Sequence, residues 1–164
     1  MSAPIKIAYN ILSNYGELTS LVSTRINPLR IPQESAFPAI SYNLVSVITS
    51  PTNTSHSRTD FARVQVNSFG VTFSDAIDVA AQVRAAFEAA TYPGIFNGVL
   101  CQAVEIDSEM HMTDDEAGFA GIYQVSQDFI INYIYAAPTP SAASYLLLED
   151  GAFMLQEDGY KIEL

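Results

Sequence analysis

Carboxylates are the densest chemical resource in this chain. Glu105, Asp107 and Glu109 recur at every second position, and Asp114, Asp115 and Glu116 follow, with His111 between the two groups. On an extended strand every second side chain shares a face, so the first three are expected side by side. Converging carboxylate oxygens are what a hard cation such as Ca²⁺ or Mg²⁺ requires, and a divalent-metal-dependent enzyme is the activity such a cluster would serve. No segment has the alternating D-x-D-x-D-G order that wraps a loop around an ion, so no metal ligand is assigned. The run reads first as a solvated acidic loop and second as a negatively charged functional surface.

His56 and His111 are the only histidines. Nucleophilic catalysis needs a Ser, Cys or Thr held against one of them and a third group to orient it. Ser55 and Ser57 flank His56, but neighbours on a loop rarely share that geometry. The chain has no G-x-S-x-G elbow, no phosphate-binding glycine loop and no Cys/His metal spacing. No catalytic residue and no cofactor are expected. Cys101, the single cysteine, lies in the apolar run Val99 to Val104 and reads as a buried, inert thiol. Arg58 and Arg63 are candidates for intersubunit ion pairs, against the plainer reading of exposed charges.

The elements that hold these residues follow from periodicity. Ser2 and Pro4 open a helix to about Asn14, with Ile5, Ala8, Tyr9, Ile11 and Leu12 on one side. Leu18, Leu21 and Val22 suggest a further short turn, and NPLRIPQESAFP is an extended connector. Ala39 to Ile48 is a strand, with Ile40, Tyr42, Leu44 and Ile48 facing one way and Val45 and Val47 the other. A polar loop, Thr49 to Arg58, joins it to a second strand ending at Gly70, on which Val64, Val66 and Ser68 share a face. Ser74 is the expected cap of the next helix, whose stripe is Ile77, Ala80, Ala81, Val83, Phe87 and Ala90. Tyr92-Pro93-Gly94 ends it. Two more strands, Gly98 to Asp107 and Gly121 to Tyr135, flank the acidic loop. The order is α-β-β-α-β-β, an α+β fold with an antiparallel sheet and helices on one face.

This makes 1–135 one domain, 136–144 (AAPTPSAAS) a linker, and 145–164 an appended arm. The arm repeats with period eight, LLLEDGAF then MLQEDGYK. Each Asp-Gly favours a tight hairpin, so a small β-meander is expected, with strands near Tyr145–Leu148, Phe153–Gln156 and Tyr160–Leu164.

Composition narrows the function. The 164 residues carry 18 acidic and 7 basic side chains, a net charge of −11, and the basic residues are scattered. That field opposes sequence-independent nucleic-acid binding. No stretch approaches the ~18 apolar residues of a membrane span, and the N-terminus lacks the apolar core of a signal peptide, so a cytoplasmic origin is expected.

Phe37-Pro38-Ala39-Ile40-Ser41-Tyr42, then Arg63-Val64-Gln65-Val66-Asn67-Ser68-Phe69 running into the helix through Asp75-Ala76 to Phe87, resemble the tail terminator or tail completion proteins of long-tailed bacteriophages over about residues 4 to 135. The resemblance implies a virion structural protein, assembled in the host cytoplasm. Such proteins form a ring, commonly a homohexamer, that caps the tail tube, stops its polymerisation and meets the neck proteins of the head. The other readings are a different neck or tail-tube subunit and the metal-dependent enzyme. Under the ring reading, Thr49, His56, Arg58, Arg63, Phe153 and Tyr160 are interface candidates. Glu105, Asp107, Glu109, Asp114, Asp115 and Glu116 would line a lumen through which DNA slides without specific binding.

Overall fold

The computed structural model describes residues 2–49, 59–112 and 121–134, together with the backbone of 154–155 and 161–162. In chain order its elements are α1 (Ala3–Asn14), α2 (Gly16–Val22), β1 (Ile26–Pro28), β2 (Ala39–Thr49), β3 (Thr59–Gly70), α3 (Phe73–Ala89), β4 (Gly94–Phe96), β5 (Val99–Met112), β6 (Tyr123–Ile134), β7 (Met154–Leu155) and β8 (Lys161–Ile162). The first six strands form one sheet in the order β1-β2-β3-β6-β5-β4. The fold is α+β.

The four long strands pair antiparallel with one another. The sheet is nevertheless mixed, because β1 runs parallel to β2 within the stretch read as connector. β4, where the sequence showed only a helix stop, pairs antiparallel with β5. Both are three residues long. A period of two cannot be read from so few positions.

All three helices pack on one face. Ile7, Ile11 and Leu12 of α1, Leu18 and Val22 of α2, and Val79, Val83 and Phe87 of α3 bury against Ile40, Tyr42, Val64, Val66, Phe129 and Ile131 of the sheet. Phe87 and Phe129 stack with centroids 4.1 Å apart at the middle of this core. Hydrophobic burial drives the layer, and the ring pair adds about 0.5–1.5 kcal/mol beyond its area.

Two local expectations are corrected. The cap of α3 is Thr72, not Ser74: the Thr72 hydroxyl accepts from the Asp75 amide at 3.2 Å, and the Asp75 carboxylate accepts from the Thr72 amide at 3.2 Å. This reciprocal box satisfies two donors that a helix start otherwise leaves unpaired. The buried stripe is then Ala76, Val79, Ala80, Val83, Ala86 and Phe87, with Ile77 at its flank and Ala81 exposed. On β2, a bulge at Val45 inverts the alternation, since Leu44 faces Val64 and Ser46 faces Arg63. Val47 therefore joins Tyr42 on the helix side and Ile48 turns to the helix-free face.

Part of the connector is not free chain. Ile31 is buried against Ala39 and Phe69, covering one end of the helix-free face. In the arm, Met154 pairs with Ile162 and Leu155 with Lys161, an antiparallel pair spanning the second Glu-Asp-Gly. The linker and the strand expected at 145–148 lie outside the described residues.

Candidate assembly surface

The most accessible unmet hydrogen-bonding capacity lies along the two sheet edges. β1 pairs only with Ile40–Tyr42, so among the described residues β2 has no outer neighbour from Asn43 to Thr49. β4 pairs only with Val99–Cys101, so among the described residues β5 has no outer neighbour from Gln102 to Met112. Open edges are templates for further strands. They also carry exposed apolar side chains, with Ile48 68% and Met110 59% accessible.

Between the edges, the helix-free face is polar and internally tied. Arg63 Nη2 lies 3.0 Å from Asp107 and its Nη1 3.3 Å from Asp128. Ser126 donates to Asn67 Oδ1 at 2.6 Å, and Gln124 donates to the same oxygen at 3.0 Å. Arg63, an interface candidate, thus holds two carboxylates of its own chain while more than a third of its side chain remains exposed.

The three alternating carboxylates do not share a face. Ile106 faces Phe129 but Ser108 faces Asp128, so Asp107 is the extra residue of a bulge. Glu105, opposite Ile130, and Asp107, on Arg63, belong to the helix-free side. Glu109, opposite Gln127, turns to the helix side. There its carboxylate accepts from Gln127 Nε2 at 2.8 Å and meets His111 Nε2 at 2.9 Å. His111 packs edge-on against Phe73. The acidic loop expected from Ser108 onward is instead strand as far as Met112.

The hydrogen bonds from His111 and then Gln127 hold the Glu109 carboxyl below the usual carboxylate range, against a smaller opposing effect of burial. A depressed carboxyl contributes stability above its unfolded pKa and loses it as pH falls through the folded one. Glu109→Gln is therefore expected to flatten the fall in stability below about pH 4.3, read as urea midpoints at pH 7, 5 and 3. A parallel fall in both proteins would contradict this.

Burial pushes the Cys101 thiol up to about 11, and the side chain is fully enclosed. Thr49 is exposed at the end of β2. His56, Arg58, Asp114, Asp115, Glu116, Phe153 and Tyr160 lie outside the residues whose side chains are described. Among the described residues no three His, Cys, Asp or Glu side chains are grouped to hold a metal, and no helix is long and apolar enough to cross a membrane. A cleft of about 440 Å³ between α3 and β5 is lined by Arg84, Phe87, Tyr92, Val104, Ile106 and Phe129.

No residue pattern marks the open edges, which depend on where two very short strands stop. A better signal existed for the polar face. Gln124, Ser126 and Asp128 recur at every second position of β6.

Fold and surface together define an α+β subunit whose most accessible chemistry is backbone pairing along two unlike strand edges. The chain belongs to the Tail completion protein gp17 family, whose model matches residues 9–133. A chain in the virion of a native gene transfer agent particle shares the fold, with a TM-score of 0.64 at 15% identity over 78% of this chain and 92% of its own. A sheath/tube terminator of an extracellular contractile injection system, in the extended state, overlaps 96% of this chain and 66% of its own at 14% identity, with a TM-score of 0.39. A search of curated proteins finds no match.

Proposed function

We propose that this tail completion protein self-assembles into a ring, a homohexamer in the pattern its family resemblance implies. The ring caps the last layer of the tail tube, stops its growth and presents its other side to the neck proteins of the head. It resides in the virion at the tail–neck junction and is assembled in the host cytoplasm. The family match supports the tail assignment. The observation that carries the ring is the pair of open, unlike edges on opposite sides of one sheet. Unlike surfaces that bind each other make heterologous contacts, which close into rings or run on as filaments.

In this reading the helix-free face lines the lumen. Glu105, Asp107 and Asp128 against Arg63 leave it net negative, which repels a DNA backbone and lets it slide. Asp114, Asp115 and Glu116 extend that wall. Thr49, His56 and Arg58 on the β2–β3 hairpin, and Phe153 and Tyr160 in the 145–164 arm beyond the linker, reach neighbouring subunits or the tube and neck proteins. Light scattering with negative-stain imaging of the purified chain tests the ring: closed particles of several subunits are expected. Monomers at every concentration contradict it, and open filaments point instead to a tube subunit.

A further inference from the structure

We propose that copies of this chain join by antiparallel pairing of the β5 edge of one copy with the β2 edge of the next, staggered by about four residues, roughly 13 Å at 3.3 Å per residue. This deepens the ring reading and rests on it.

Strand direction comes first. β2, β3, β6 and β5 are successively antiparallel, so β2 and β5 of one copy run in opposite directions. A rotation that sets the next copy beside the first, about an axis near the strand direction, keeps strand directions. β5 therefore meets the neighbour's β2 antiparallel, the stronger of the two pairings.

Register then fixes the stagger. Thr49, Asp60, Tyr133 and Cys101 form one transverse row, and Ala39, Phe69, Gln124 and Met112 form another at the far end. β1 shields β2 near the Met112 end, and β4 shields β5 near the Thr49 end. Level docking would drive β1 into the neighbour's Glu109–His111 and Thr49 into β4. Sliding one copy toward the Met112 end relieves both collisions at once, and about four residues carries β1 past Met112. An even shift also keeps every side chain on its own face.

The staggered junction sets Ser46 opposite Met110, Val47 opposite Glu109 and Ile48 opposite Ser108. Ile48 and Met110, among the most exposed apolar side chains of the two edges, become diagonal neighbours on the helix-free face. Four long strands and a four-residue stagger per copy give equal strand number and shear, the ratio found in a barrel whose strands tilt by about 36°.

The test uses the full chain with Ser46→Cys and Met110→Cys combined. Mild oxidation of the assembled protein should give a ladder of disulfide-linked species, collapsed by reductant, while either single variant stays monomeric on denaturing gels. Ile48→Lys is expected to raise the concentration needed for assembly at least tenfold with an unchanged thermal melt. Rings that form without the ladder and tolerate Ile48→Lys would overturn the edge pairing and leave the ring standing. A chain that never assembles would overturn both.

Discussion

Phe129→Ala is expected to remove about 3–5 kcal/mol of stability, a large part of the usual margin of about 5–15 kcal/mol. Phe129 is 1% exposed and sits on β6, between β3 and β5 in the middle of the sheet, where it stacks on Phe87 of α3. Truncation leaves a cavity walled on one side by strands and on the other by a helix pinned at its start by the Thr72–Asp75 box. Neither wall collapses easily, so the cost belongs in the upper range for aromatic truncation. Urea unfolding followed by circular dichroism measures it. A loss below about 1 kcal/mol would show that the helix layer is not held at this point.

Gly70→Ala is the second large expected effect. A Cβ at this position would lie 2.6 Å from the Ala76 backbone nitrogen and 2.7 Å from Asp75 Cβ. The glycine is required by space rather than by a left-handed backbone: the first turn of α3 rests directly on the end of β3. Relief demands movement of helix backbone, with an expected loss of about 1–3 kcal/mol. Gly16→Ala is the control, because nothing lies within 4 Å of its built Cβ. A surface change of this kind stays within about 0.5 kcal/mol. Equal midpoints for the two variants would contradict the packing described.

Gly70 also shows what was legible in the sequence. The strand-to-helix switch at Arg63–Phe87 could be read from the change of period alone, and Val64, Val66 and Ser68 are buried as the alternation predicts. The four long strands and the α+β class followed for the same reason, since long periodic segments leave a strong signal. What escaped was set by single-residue events. A bulge at Val45 and another at Asp107 each reversed the faces beyond them, moving Ile48 outward and Glu109 inward. No residue type marks such a bulge when neither position is glycine.

The candidate surface was legible only in part. Absence of a catalytic motif pointed toward assembly, and the strand patterns at Phe37–Tyr42 and Arg63–Phe69, the second running into the helix to Phe87, carried the family resemblance. The edges themselves depend on where β1 and β4 stop, which is a property of tertiary packing. Arg63 illustrates the gap. Its charge suggested a partner, but nothing in sequence spacing told that Asp107 and Asp128, from two other strands, would be within 3.0 and 3.3 Å.

The role proposed for this chain is to end tail-tube growth as a ring. Its most direct measurement is the length distribution of tubes formed by the cognate tube protein with and without the purified chain, scored by electron microscopy. Tubes that stop growing and carry a single ring of density at one end are the expected result. Tubes of unchanged length, with the chain absent from their ends or spread along their walls, would contradict it.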